Sequence, residues 1–137
     1  MARILSIDYG RKRTGVAVTD PLQLIAGGLV TVATSELLPW LKAYIAREAV
    51  ERVIIGEPRQ LNGMPSENMA RVRQFVEEWR REVPTVPIEY YDERFTSALA
   101  HQAMLDGGLK KKARQDKALV DEISATIILE DYLRYKK

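Results

Sequence analysis

Apolar residues recur at two different spacings along the first fifty residues, and these spacings predict three short strands and a helix. Residues 3–8 and 14–19 are apolar and β-branched segments separated by a polar turn, which is typical of a hairpin. A third apolar run at 28–32 predicts another strand. Ser35 then offers an N-cap for a helix over residues 36–49.

The rest of the chain alternates strands with helices. Residues 52–56 form the continuous apolar run expected of a strand buried on both faces. Ser66 can cap a helix whose apolar residues fall at helical spacing, namely Met69, Val72, Phe75, Val76 and Trp79. A strand over 87–91, a short helix from 96 to 107 and a last helix from about 116 to 135 complete the order βββαβαβαα.

This order predicts a single α/β domain spanning residues 1–137, built on a mixed five-stranded sheet with helices on both faces. The early hairpin is antiparallel, whereas parallel strands need helical crossovers. A chain of 137 residues is the size of one compact unit with one core. No internal repeat or low-complexity tract indicates a second domain.

Composition narrows the class of protein. Hydrophobic residues make up 46% and charged residues 29%, as in ordinary soluble domains, and no apolar run is long enough to span a membrane. The first residues lack the regions of a signal peptide, so we expect a cytoplasmic protein without a membrane partner. The chain has no cysteine and one histidine, so any bound metal must be held by oxygen.

Three acidic residues follow predicted strands or begin a predicted helix. Asp8 ends the first strand, Glu93 follows the fifth strand within the charged segment 92–94, and Asp121 lies near the start of the last helix. Ligands of open α/β sheets bind at the carboxyl ends of strands. Taken singly, each acid also has an ordinary structural explanation, as a turn former, a solvated loop residue or a partner of the helix dipole.

Taken together, the three carboxylates predict a site for Mg²⁺ or Mn²⁺, because these ions prefer oxygen ligands. Metal-assisted phosphodiester hydrolysis needs neither histidine nor cysteine, which agrees with the composition. Glu57, directly after the buried strand, is an alternative to Glu93 as a metal ligand. The residues alone leave that choice open.

Two basic clusters lie beside these acids in the sequence. Residues 11–13 follow Asp8 in a turn where Gly10 is expected to supply a permissive backbone, and residues 110–114 precede the helix of Asp121. A lysine run is usually a solvated loop, and a net charge of +2 does not identify nucleic acid as a partner. The position of both clusters beside the predicted acids nevertheless favours phosphate contacts.

Three sequence motifs resemble those of the YqgF/RuvX family, whose bacterial members are described as Holliday junction resolvases and as nucleases that mature pre-16S ribosomal RNA. D-x-G-x-K-R-x-G-V-A is matched at 8–17, and D-E-R-hydrophobic-T-S at 92–97. K-x-x-[VI]-D-x-x-[SA]-A-x-x-[IL]-L is matched at 117–129. The resemblance covers nearly the whole chain, although Ser124 replaces a more usual alanine and Glu57 replaces a usually apolar residue.

The resemblance implies an RNase H-like fold and a metal-dependent endonuclease. The catalytic, metal-binding residues that it implies are Asp8, Glu93 and Asp121, with Mg²⁺ or Mn²⁺ as the cofactor. The cations expected to bind nucleic acid are Arg11, Lys12, Arg13, Arg94, Lys110, Lys111, Lys112, Arg114 and Lys117. The substrate is branched DNA or structured precursor 16S rRNA, and residue types do not choose between them. Symmetric junction cleavage would call for a homodimer.

Two other functions fit parts of the sequence. In a non-catalytic nucleic-acid-binding subunit, the acids would serve stability alone, and metal dependence would separate it from a nuclease. An actin-like or sugar-kinase-like protein also has an Asp-x-Gly hairpin. Such proteins clamp nucleotide between two domains of this fold, whereas this sequence predicts one.

Overall fold

The computed structural model describes residues 2–57, 68–92 and 117–136, with side chains from 122 to 134 in the last segment. Five strands and three α-helices fall in these ranges. The strands are β1 (Arg3–Asp8), β2 (Arg13–Thr19), β3 (Ala26–Ala33), β4 (Val50–Glu57) and β5 (Ile88–Asp92). The helices are α1 (Leu37–Arg47), α2 (Met69–Glu82) and α3 (Lys117–Lys136).

The five strands form one sheet in the order β3-β2-β1-β4-β5. β1 is central: Leu5 pairs with Val18 of β2 in antiparallel register and with Val53 of β4 in parallel register. The outer pairs continue this pattern, antiparallel for β2 with β3 and parallel for β4 with β5. The predicted mixed sheet and the predicted hairpin are therefore confirmed.

Apolar side chains cover both faces of this sheet. One cluster packs the sheet against α1 and α2, and its fully buried members include Leu5, Ile7, Leu41, Val53, Ile55 and Trp79. The second cluster packs the other face against α3 and consists of Ile4, Ala17, Ile54, Ala125, Ile128 and Leu129. Since burying one such aliphatic side chain contributes about 1.5–3 kcal/mol, these two layers hold the sheet between the helices.

The entry to α1 differs from the prediction. A 3₁₀ turn over Thr34–Glu36 precedes α1, and Glu36 occupies the N-cap position without a side-chain cap. Ser35 is therefore not the N-cap. The reason is tertiary, because the amide of Thr34 donates to the carbonyl oxygen of Lys12 and this bond positions the turn. The predicted cap at Ser66 and the predicted short helix from 96 to 107 lie outside the described residues.

One carboxylate, that of Asp20, holds the loop between β2 and β3 by accepting backbone hydrogen bonds. Asp20 accepts backbone hydrogen bonds from Leu24 and Ile25 at 2.8 Å and from Leu22 at 3.2 Å. Gln23, in the middle of the loop, has a φ of 59°. This loop lies at the end of β2 remote from the Tyr9 to Arg13 turn.

Across the described ranges, no helix is long and apolar enough to cross a membrane.

Candidate active site

Asp8 ends the central strand of the sheet. It pairs with Gly15 on β2, while the preceding residue, Ile7, pairs with Ile55 on β4. Ser6 is fully buried and donates a hydrogen bond of 2.5 Å to the carbonyl oxygen of Ala125 on α3. Because side chains alternate along a strand, the half-buried Asp8 lies on the same face as Ser6. Asp8 therefore belongs to the face that α3 covers.

α3 crosses this face antiparallel to β1. Ile4, near the start of β1, lies in one buried cluster with Ile128. Ser6, two residues further along the strand, bonds to Ala125, which is earlier in the helix. Advancing along β1 thus means moving back toward the beginning of α3.

The same spacing, continued by two residues along β1 and four residues back along α3, places position 121 level with Asp8. Two strand residues advance about 6.6 Å, and four helical residues advance about 6 Å. From the contact between Ser6 and Ala125, this step reaches Asp8 on β1 and the backbone of Asp121 in the first turns of α3. The structure therefore brings the beginning of α3 to the level of Asp8, on the same side of the sheet.

Glu57 and Asp92 end the two neighbouring strands at the same edge. They pair with each other in the parallel register of β4 and β5. Glu57 stands two residues after Ile55, which packs toward α1 and α2, so strand alternation places Glu57 on that side. Glu57 and Asp8 consequently lie on opposite faces of the sheet.

Several other predicted site residues are described in part or not at all. Asp121 and Lys117 contribute only their helical backbone. Outside the described residues lie Glu93, Arg94, Lys110, Lys111, Lys112 and Arg114. Among the side chains that the structure does describe, no three acids or histidines gather closely enough to hold a metal ion. Of the three acids Asp8, Glu93 and Asp121, only Asp8 has a described side chain.

A closed ring of hydrogen bonds holds the turn after Asp8. The Gly10 amide donates to the Thr14 hydroxyl at 3.4 Å, and the Thr34 hydroxyl donates to the Gly10 carbonyl at 2.7 Å. The two hydroxyls are 2.9 Å apart. Because the Thr34 proton is used on Gly10, Thr14 must be the donor in that last bond. This ring anchors the turn to the end of β3, and sequence reasoning missed it.

The anchored turn presents two of the predicted cations. Arg11 and Lys12 are exposed, while Arg13 is half-buried at the start of β2. Gly10 has a specific steric role, because a Cβ there would overlap the carbonyl oxygen of Arg13. Its φ is not in the left-handed region, so the predicted need for a permissive backbone is replaced by a need for space. The turn places these positively charged residues at the same end of the sheet as Asp8.

Tyr9 faces the other side of the sheet from Asp8. Its ring lies 5.4 Å from that of Phe75 on α2, and its carbonyl oxygen accepts a 2.8 Å hydrogen bond from the Asn68 side chain. Burial raises the pKa of the Tyr9 phenol, and Glu78 adds to this effect while Arg71 opposes it. Adjacent residues at the end of β1 thus serve two different surfaces.

The architecture matches that of a known structure, T. thermophilus RuvC, over almost its whole length. Superposition on T. thermophilus RuvC in complex with a Holliday junction substrate gives a TM-score of 0.57 at 19% identity, covering 98% of this chain and 96% of that one. The chain therefore has the RNase H-like α/β fold of RuvC, with Asp8 at the end of its central strand.

A family model described as "RuvX: Holliday junction resolvase" matches residues 2–135. The chain belongs to the RuvX family, as its motifs indicated. It is 64% identical over 137 residues to a Phocaeicola vulgatus protein named "Putative pre-16S rRNA nuclease", covering 100% of this chain and 99% of that one. A protein of the same name from Bacteroides thetaiotaomicron is 61% identical with the same coverage.

Proposed function

We propose that this chain is a divalent-metal-dependent endonuclease that hydrolyses phosphodiester bonds in structured nucleic acid. The observation that carries the proposal is the position of Asp8 at the carboxyl end of the central strand, level with the beginning of α3 on one face. Membership of the RuvX family supports nuclease chemistry. The exposed cations Arg11 and Lys12 supply a surface for phosphate beside that carboxylate.

The donor set suits Mg²⁺ or Mn²⁺. Asp8 offers carboxylate oxygens, the ligands these hard cations prefer, and the chain contains no cysteine to attract softer metals. We propose that Asp8, Glu93 and Asp121 hold the ion. When bound, such an ion lowers the pKa of a water molecule and offsets negative charge on phosphate oxygens.

Sheet geometry supports Glu93 over Glu57 as the partner of Asp8. The side chain of Glu57 belongs to the face that carries α1 and α2, whereas Asp8 belongs to the face of α3. Glu93 follows Asp92, the last residue of β5, by one residue in the sequence. A shared ion requires ligands on a common side, which Glu57 does not provide.

The chain's own residues position the reacting phosphate. Asp8 is held by pairing with β2 on one side and, through Ile7, with β4 on the other. The hydrogen-bonded ring around Gly10 fixes the turn whose cations would bind phosphate oxygens. We assign the same phosphate-binding role to the remaining predicted cations, which are Arg13, Arg94, Lys110, Lys111, Lys112, Arg114 and Lys117.

The names of the relatives and of the family indicate two candidate substrates. The related proteins are named for pre-16S rRNA, and the family is described by its action on Holliday junctions. Both polymers present phosphate backbones to a basic turn, so the same site is proposed to accept structured RNA or branched DNA. Cleavage of a junction at symmetric positions calls for a homodimer, which light scattering of the purified protein would detect.

The test compares cleavage of a synthetic four-way DNA junction and a precursor rRNA fragment with Mg²⁺ or Mn²⁺. The wild type should cut at least one substrate, and Asp8→Asn should lower kcat by a factor of about 10² or more, because it loses a charged ligand. Glu57→Gln, an equivalent change at the same edge but on the other face, should retain activity. Full activity of Asp8→Asn in a clean preparation would contradict the role of Asp8, and cleavage that is insensitive to chelator would contradict the metal dependence. Binding of both substrates by the wild type without cleavage of either would indicate a non-catalytic binding subunit.

A further inference from the structure

A cavity of about 460 Å³ opens on the face of the sheet opposite Asp8. It lies between α2 and the segment that leads from β3 into α1. Its walls include Tyr9, Thr34, Ser35, Arg71, Gln74 and Phe75. Its volume falls within the roughly 300–1,000 Å³ of typical small-ligand sites.

The cavity adjoins the candidate active site through the backbone of β1. Tyr9, which lines it, directly follows Asp8, and alternation sends the two side chains to opposite faces. Thr34, another lining residue, bonds to Gly10 at the start of the basic turn. A nucleic-acid strand bound at Asp8 and passing over this turn would therefore reach the mouth of the cavity.

The charges around the cavity do not favour a phosphate. Arg71 and Arg81 supply two positive charges, and Glu77 and Glu78 supply two negative charges, so the charged lining is balanced. Carboxylates repel a phosphate but accept hydrogen bonds from the amino and imino groups of a base. The arginines donate to ring nitrogens and carbonyl oxygens, so the lining matches the mixed edge of a neutral heteroaromatic ligand.

The interior of the cavity adds an aromatic surface and small polar groups. The rings of Tyr9 and Phe75 are inclined at 38°, and Tyr9 stays half-buried at the cavity wall. Ser35 and Gln74 are exposed on the opposing walls, with one hydroxyl and one amide. Proteins that bind single-stranded segments combine these two features, with bases stacking on aromatic rings.

From these features we infer that the cavity binds an unpaired nucleobase of the substrate, close in the strand to the phosphate at Asp8. This inference rests on the proposed nuclease function and adds a subsite to it. The ligand class is a nucleoside or an unpaired nucleotide, recognised by its base. The cavity would thereby make the enzyme prefer substrates in which a base near the cleaved bond is free.

Binding of single nucleosides tests the subsite without any cleavage. Adenosine and uridine are titrated into the ¹⁵N-labelled full chain, with inorganic phosphate in a parallel titration. At least one nucleoside should shift the amide signals of Thr34, Ser35 and Gln74, and phosphate should leave them in place. Shifts caused by phosphate instead, or by none of the three probes, would overturn the inference.

Two arginines on one helix provide a matched pair of variants. Arg71 lines the cavity, whereas Arg73, about 200° further around α2, does not. Arg71→Ala should weaken nucleoside binding about tenfold, because a charged hydrogen-bond donor is lost, and Arg73→Ala should leave it unchanged. Ser35→Trp, which fills the cavity from an exposed position, should abolish binding while thermal melting shows a folded chain.

Cleavage kinetics separate this inference from the proposed function. Arg71→Ala should raise KM for the polymer about tenfold with little change in kcat, since the subsite binds ground state and transition state alike. Asp8→Asn, in contrast, should lower kcat. Metal-dependent cleavage with equal KM in Arg71→Ala and Arg73→Ala would support the nuclease function and contradict the nucleobase subsite. If the wild type bound nucleosides but cleaved neither polymer, the result would contradict the nuclease function. The cavity would then have no role in the choice of a cleavage substrate.

Discussion

The hydroxyl of Ser6 on β1 donates a hydrogen bond of 2.5 Å to the carbonyl oxygen of Ala125 on α3. Both residues are fully buried, and they are separated by 119 positions in the chain. A helical carbonyl already accepts from the amide four residues later, so this bond is an additional one. It sets the height at which α3 lies along β1, and hence the height of position 121 relative to Asp8.

Ser6→Ala should therefore lower both stability and activity. Loss of one buried hydrogen bond costs about 0.5–1.5 kcal/mol, and α3 then loses a fixed height against Asp8. We expect a decrease in kcat of up to about tenfold, because small displacements of catalytic groups are costly. Urea denaturation and cleavage assays measure the two effects. Ser124→Ala, a half-buried serine on α3, is the control, and equal losses in both variants would contradict the role of Ser6.

Gly10→Ala should disrupt the basic turn. A methyl group at this position would overlap the carbonyl oxygen of Arg13, so the backbone must shift and the ring with Thr14 and Thr34 must open. We expect a loss of about 1–3 kcal/mol in unfolding free energy, as for other overpacked sites. Gly27→Ala on β3 is the matched control, since a Cβ there meets nothing within 4 Å. A Gly10 variant as stable as the Gly27 variant would contradict this account.

The exposed cations of the turn should control the salt dependence of binding. Arg11→Ala or Lys12→Ala should reduce the slope of log affinity against log salt concentration by about 0.9 for duplex DNA, the value of one phosphate contact. Fluorescence anisotropy over a series of salt concentrations measures that slope. Lys42→Ala removes the same charge from α1, where the ammonium pairs with Glu82 at 2.5 Å, and should leave the slope unaltered. Equal slopes in all variants would exclude the turn from the phosphate surface.

Asp20 should give the protein an acid-sensitive loop. The backbone hydrogen bonds to its carboxylate, led by that from Ile25, hold the pKa of Asp20 below its usual value of 3.8. As pH falls, the unfolded chain takes up this proton first, so the stabilisation is complete above the unfolded pKa and disappears as pH falls through the folded pKa. Asp20→Asn lacks this titration. Urea denaturation should show the wild type losing its advantage over Asp20→Asn on acidification, and a constant difference would contradict the assignment.

The local pattern of apolar and polar residues was sufficient to predict most of the strands and helices. The apolar run at 52–56 predicted the buried strand that became β4, and the spacing of Val72, Val76 and Trp79 predicted the face of α2. Alternation and helical period are properties of neighbouring residues, so they can be found without knowledge of distant contacts. The predicted N-cap at Ser35 is wrong because its segment is held by Thr34, whose partners lie 20 to 24 positions earlier in the chain.

The candidate site was predictable in position but not in orientation. The sequence placed Asp8 and Glu57 at strand ends, as the structure does. Because residues 53–55 are all apolar, their pattern does not reveal which face residue 57 takes. The packing of Ile55 against α1 and α2 and its pairing with Ile7 assign residue 57 to the face opposite Asp8. The cavity beside Tyr9 was equally hidden, since its walls come from the end of β1, from α2 and from the entry to α1.

The central position of β1 has a consequence for local unfolding. Both edges of this strand are paired, and both faces are covered by helices, so we expect its amides to exchange with solvent only when the whole domain opens. Asp8 thus ends a strand that is paired at both edges and covered on both faces, while Arg11 and Lys12, a few residues later, are exposed. In the proposed nuclease, a carboxylate held by the central strand would stay aligned with the scissile phosphate, while the exposed side chains of the two cations could change rotamer to follow a polymer that bends.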